Sequence, residues 1–174
     1  MPDKFGRQGF VKSERRGLQL KEKDSGLIYA TQTGDAISLS DVPDPVFSDK
    51  LLGDGIAIIP TDGEVKAPVN GEVTRVFDTK HAYSILSDDG LEILVHIGLD
   101  TVELDGRGFT PKVKSGERVR VGDTLCEVDL ALLSSEEYFI HTPIVITNMD
   151  KVKKLTPHQG YTVAGKTVAL SYTL

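Results

Sequence analysis

From Leu27 onward the chain never runs far before a turn signal stops it. Apolar stretches of four to seven residues are cut by Gly34, Gly53, Gly55, Gly63, Gly71, Gly90, Gly98, Gly106, Gly108, Gly116, Gly122, Gly160 and Gly165. Runs of that length are too short for helices and suit strands, so the texture predicts an all-β sandwich or barrel. Strands are expected at Leu27–Thr31, Ala36–Leu39, Ile56–Pro60, Glu72–Phe77, Ala82–Ser87, Glu92–Gly98, Thr124–Val128, Ile144–Asn148 and Thr167–Tyr172. Helical pattern is confined to Asp129–Tyr138, with Asp129 as cap and Leu130, Leu132 and Leu133 inward, and to single turns at Pro45–Leu51 and Met149–Val152. At 174 residues one hydrophobic core suffices, and a single domain is expected.

Within this texture one hairpin carries unusual residues. Asp89-Gly90 lies between the runs Tyr83–Leu86 and Glu92–Val95, a strong hairpin signal. His81 stands before the first run and His96 ends the second, so the returning strand is expected to bring the two imidazoles opposite each other. A single histidine in an apolar strand is usually a hydrogen-bonded core residue. Two facing ones cost desolvation with no packing advantage over leucine, which favours a site. Three chemistries suit the pair. One imidazole can accept a phosphoryl group while the other bonds its oxygens. Both can ligate zinc. They can also act as an acid and a base, for which Asp100 and Asp150 are the nearest carboxylates. The chain contains no glycine-rich phosphate loop, dinucleotide fingerprint or His-Glu-x-x-His motif, so a phosphoryl group would be delivered by another protein.

Composition narrows the setting. A net charge of −6 argues against nucleic acid as a partner. The lone Cys126 forms no internal disulfide, and neither a membrane-spanning run nor a signal peptide is visible, so a cytoplasmic location is expected. The charge is lopsided: residues 1–23 hold seven Lys/Arg against three Asp/Glu, a balance of +4, which leaves −10 for the rest. Residues 1–25 are read as a basic, flexible segment and 26–174 as the folded domain. Peripheral contact with an anionic membrane through Phe5, Phe10, Val11, Leu18 and Leu20 is the alternative, although Gly6, Gly9 and Gly17 make a helix there marginal.

Several ordered blocks then carry a family resemblance. They are Asp41–Phe47, Gly53–Ile58, Ala67–Gly71, Thr79–Ala82, Leu94–Leu104, Gly106–Phe109 and Thr142–Asp150. Together they resemble the glucose-specific enzyme IIA component of the bacterial phosphoenolpyruvate:sugar phosphotransferase system, from about Gly26 to the C-terminus. The resemblance implies a flattened antiparallel β-sandwich with short helical turns, and a phosphoryl relay rather than a cofactor enzyme. His96 would accept the phosphoryl group on Nε2 from the histidine phosphocarrier protein and pass it to a cysteine of a membrane-bound glucose-class permease. His81 would bond the phosphoryl oxygens, Thr79 would orient His81, and a backbone carbonyl near Gly98 would hold the other nitrogen of His96. Val46, Phe47, Leu51, Leu52, Phe77, Leu94 and Val102 would form an exposed apolar docking patch, with Asp100 and Asp150 as acidic partner contacts; from sequence alone each apolar one reads as core. In some relatives the unphosphorylated form also binds non-sugar permeases and glycerol kinase, and with that kinase the two histidines share zinc with a partner carboxylate; the resemblance thus implies zinc at His81 and His96 as an option, and adenylate cyclase as a further partner class. No cofactor is required for the relay itself.

The chain departs from that pattern at three places. Leu94 and Ile97 stand where aromatics are common in the enteric type, the N-terminal segment is longer, and Glu136–His141 is unusual. His141 and His158 are read as surface or core residues. A lysostaphin-like zinc peptidase is the rival reading, but leucine at 94 breaks the His-x-His triplet it needs. A lipoyl-type carrier lacks an acceptor lysine at a hairpin tip. A zinc-binding regulatory protein without phosphotransfer is the subtler alternative.

Overall fold

The computed structural model describes residues 24–174. The expectations for the basic segment, membrane contact included, fall almost wholly on residues 1–23, outside the described residues. Fourteen strands occur among the described residues: β1 Ser25–Tyr29, β2 Gly34–Ser38, β3 Asp54–Pro60, β4 Glu64–Lys66, β5 Gly71–Val76, β6 Ala82–Ser87, β7 Glu92–His96, β8 Phe109–Pro111, β9 Arg118–Val119, β10 Thr124–Val128, β11 Thr142–Ile146, β12 Lys154–Pro157, β13 Gly160–Thr162 and β14 Val168–Thr173. Two short helices, α1 Pro45–Ser48 and α2 Leu130–Ser135, and three 3-10 turns complete the secondary structure of the described residues. Every strand pair is antiparallel.

One large sheet runs β13-β2-β3-β11-β7-β6-β5-β9, and two three-stranded sheets run β1-β14-β12 and β4-β10-β8. The main core lies between them, since its members come from all three: Ile56 and Ile58 of β3, Ile93 and Val95 of β7, Leu170 of β14 and Leu125 of β10. The result is a flattened β-sandwich. Nine strands fall where the apolar runs predicted them, with ends shifted by up to two residues. Five others escape notice in the sequence. β4, β8, β9, β12 and β13 are two to four residues long and carry little apolar signal of their own, so their pairing is supplied by the neighbour they lie against.

Alternation explains which residues reach the site. Ile56 and Ile58 enter the main core, whereas Ala57 between them joins a second cluster on the opposite face of the large sheet. Ile144 and Ile146 likewise face inward and Val145 outward. Successive strand residues point to opposite faces, so a strand buried throughout must be covered on both. The outer cover is the segment Leu39–Phe47, whose Leu39, Val42 and Phe47 pack with Ala57, Leu99 and Val145. A four-residue helix such as α1 is unstable alone. Asp44 caps it by accepting the Val46 N–H at 3.0 Å, Pro45 starts it, and burial of Phe47 contributes roughly 2 kcal/mol to holding it on the sheet.

Candidate active site

Along β7, Ile93 and Val95 face the core, which puts Leu94 and His96 on the outer face. His96 would stand in water there but for α1, which lays the ring of Phe47 against it, centroids 5.0 Å apart at 59°. The ladder between β6 and β7 pairs His96 with Ala82, not with His81. The expected directly opposed histidines are therefore offset by one residue. The reason lies at the strand end: His81 precedes β6, and Lys80 adopts a left-handed conformation, φ 64°, that turns the chain. His81 keeps its place through its carbonyl, which accepts the Ile97 N–H at 2.7 Å. The rings still meet, centroids 4.8 Å apart and nearly perpendicular at 84°. Phe77 closes the far side of His81 at 5.8 Å, and the Arg75 guanidinium lies 3.9 Å from the Phe77 ring centre.

Hydrogen bonds to the inner nitrogens decide what the outer ones can do. A carbonyl only accepts, so the 2.8 Å contact between His96 Nδ1 and the Gly98 oxygen places the proton on Nδ1 and leaves Nε2 with its lone pair while the ring is neutral. His81 Nδ1 lies 2.7 Å from Thr79 Oγ1, a hydroxyl that can donate or accept. Burial lowers the pKa of His81 to about 4, assisted by the repulsion of a charged His96. Burial also lowers that of His96, against the opposing pull of the Gly98 carbonyl and of the Asp44 and Asp100 carboxylates. Both rings are thus neutral near pH 7. The arrangement is a shielded imidazole with a free nucleophilic nitrogen and a second imidazole edge-on beside it.

Residues 27–152 match the family described as phosphoenolpyruvate-dependent sugar phosphotransferase system, EIIA 1. The chain belongs to this family. Relatives named glucose-specific EIIA components of that system come from Haemophilus influenzae, 46% identical over 83% of this chain and 87% of the relative, and from Staphylococcus epidermidis, 47% identical over 78% and 82%. The solved structure of glucose permease IIA from Mycoplasma capricolum is 41% identical, with a TM-score of 0.79, and the match covers 84% of this chain and 95% of that one. EIIA components relay phosphoryl groups, so this chain is a phosphotransferase component whose role implies a phosphocarrier and a sugar permease as partners. No helix among the described residues is long and apolar enough to cross a membrane.

The residues expected to form the EIIA docking patch divide into three groups. Val46, Leu51, Leu52 and Val102 are exposed despite being large and apolar, Leu51 at 69%. Reading them as core, as sequence alone suggests, is therefore incorrect. Phe77 and Leu94 are half-buried. Phe47 is not part of an exposed patch: only 3% of it is accessible, because it is the residue that anchors α1 and covers His96. Asp100 is exposed and acts electrostatically on His96. Asp150 does not join the histidines. Its turn, Met149–Lys151, is tied to the other end of β7, where Asn148 accepts the Glu92 N–H at 2.8 Å and donates to the Gly90 carbonyl at 3.0 Å. Glu92 and His96 lie four positions apart, which is roughly 13 Å of strand. Sequence reasoning overlooked Asp44 as a site residue. Its visible signal, Asp before Pro at a helix start, announces the cap and says nothing of the imidazole the capped helix will cover. Among the described residues no group of three or more His, Cys, Asp or Glu side chains comes together to hold a metal. The three-ligand centre that a zinc peptidase requires is thus not assembled there.

Proposed function

We propose that this chain serves glucose-class sugar uptake and that His96 carries the phosphoryl group. The observation that carries the assignment is the bond from His96 Nδ1–H to the Gly98 carbonyl, which leaves Nε2 as the nucleophile. In the first transfer, Nε2 forms a bond to phosphorus as the bond from phosphorus to the donor's histidine nitrogen breaks, and the donor leaves as neutral imidazole. In the second, a cysteine thiolate of the permease attacks phosphorus, and the P–N bond returns its electron pair to His96. In this reading the Thr79 hydroxyl donates a hydrogen bond to His81 Nδ1, so that the ring's own proton sits on Nε2 and bonds the phosphoryl oxygens. Phe47 and Phe77 keep water from the reacting centre. Val46, Leu51, Leu52, Phe77, Leu94 and Val102, with Asp100, form the partner-binding face. Residues 26–174 are the phosphotransferase domain, working in the cytoplasm behind the basic segment 1–25.

Zinc fits this site only in part. With His96 Nδ1–H on the Gly98 carbonyl, and His81 in its other tautomer with Nδ1–H donating to Thr79 Oγ1, the two Nε2 atoms would supply two of the four ligands of a tetrahedral ion. The remaining ligands, a carboxylate among them, would come from a partner. The same face is also where non-sugar permeases, glycerol kinase or adenylate cyclase would read the phosphorylation state.

The test is incubation of the purified chain with phosphoenolpyruvate, enzyme I and the histidine phosphocarrier protein, followed by intact mass and acid treatment. One acid-labile phosphoryl group is expected on the wild type and none on His96→Gln. Equal labelling of the two proteins refutes the assignment.

A further inference from the structure

The carbonyl that sets the His96 tautomer belongs to Gly98, at φ 79°. The peptides around it are pinned one by one. The Ile97 N–H donates to the His81 carbonyl at 2.7 Å, the Gly98 N–H to the His141 carbonyl at 2.9 Å and the Leu99 N–H to the Phe139 carbonyl at 3.1 Å. These three holds are backbone to backbone. The fourth comes from a side chain: Thr101 Oγ1 donates to the Ile97 carbonyl at 2.6 Å. Thr101 is fully buried, and its methyl carbon lies 2.5 Å from where a Cβ on Gly98 would sit. It therefore touches the left-handed residue and fixes the peptide leading into it.

We infer that Thr101 is a positioning residue for phosphoryl transfer: its hydroxyl holds the 97–98 peptide so that the next carbonyl, that of Gly98, captures the Nδ1 proton of His96. The inference rests on His96 being the phosphoryl acceptor. The same bond could serve only to satisfy a buried hydroxyl at the start of the Thr101–Leu104 turn, since threonine commonly bonds the carbonyl four residues back. The two roles differ in one observable. A positioning role moves the proton on His96, and a structural role moves only stability.

Thr101→Val removes the donor and keeps the shape, whereas Thr101→Ser keeps the donor and drops the methyl. The 15N shifts of the His96 ring, read on the unphosphorylated proteins at neutral pH, report the tautomer ratio without any partner. For Thr101→Val the ratio is expected to move toward Nε2–H by about three- to tenfold, the worth of one ordinary hydrogen bond. Phosphorylation should slow by a similar factor, while Thr101→Ser keeps the wild-type ratio and rate. An unchanged ratio and rate in Thr101→Val, whatever its melting temperature, overturns the inference, as does a Thr101→Ser protein shifted as far as Thr101→Val. Should Thr101→Val not fold, Thr101→Ala, which also removes the donor, is read in its place: a His96 ratio displaced toward Nε2–H supports the inference and a wild-type ratio overturns it. Failure of the wild type to accept phosphate would count against the relay and leave the tautomer measurement standing.

Discussion

His81 makes the stability of this protein depend on acid in a way that one substitution can isolate. In the unfolded chain it takes a proton near pH 6.5, and in the folded protein only near pH 4. Between those values the unfolded state binds a proton that the folded state refuses, so stability is level above about pH 6.5 and falls as pH drops toward 4. The displacement, at 1.36 kcal/mol per pH unit, amounts to about 3 kcal/mol. His81 is only 4% exposed, which leaves little solvent to screen the effect. His81→Gln carries no such proton. Urea unfolding of both proteins at about pH 7, about pH 5.5 and about pH 4 should show the wild type losing about 3 kcal/mol more than the variant across that range. At a urea dependence of about 1–3 kcal/mol per molar, the difference is about 1–3 M in midpoint. Carboxylates that titrate over the same range contribute to both curves and cancel. Parallel curves would refute the reasoning, because they would mean that the folded site tolerates a charged His81 and that the neutral pair is not imposed by burial.

Other outcomes follow from the same geometry. His81→Gln should still accept a phosphoryl group but pass it on more slowly, whereas His96→Gln accepts none; identical behaviour in single-turnover labelling would dissolve the division of roles. Gly98→Ala should cost at least about 2 kcal/mol, from a left-handed alanine whose Cβ would meet the Thr101 methyl at 2.5 Å, and should abolish transfer; a melting curve matching the wild type would contradict this. Leu51→Asp and Val102→Asp, at positions 69% and 50% exposed, should each leave stability within about 0.5 kcal/mol. Each should weaken phosphocarrier binding by about tenfold, read by calorimetry, if these residues form the docking face.

The chain itself announced most of the strands, the hairpin and the two histidines, because alternation and turn chemistry are local. β6 starts and ends where the residues predicted. Asp129 caps α2 by accepting the Leu132 N–H at 3.0 Å, the role its type and position suggested. β4 and β9 were invisible for the converse reason, since a strand of two or three mixed residues owes its existence to the edge it completes.

Which apolar residues lie inside was harder. Phe47 and Leu51 are neighbours in sequence and equally apolar, yet one is 3% exposed and the other 69%. The difference depends on where a four-residue helix lands on the outer face of the sheet, which no local pattern encodes. Asp150 shows the same limit from the other side: it follows the histidine strand's partner β11 closely in sequence, and its turn attaches to the far end of β7. The sequence by itself determined the fold class and the placing of two histidines on one hairpin, because periodicity and residue chemistry are properties of the chain. Only the tertiary structure decided that His81 sits one residue off the ladder and that Phe47 covers His96. Those depend on hydrogen bonds and ring contacts between segments that meet through folding.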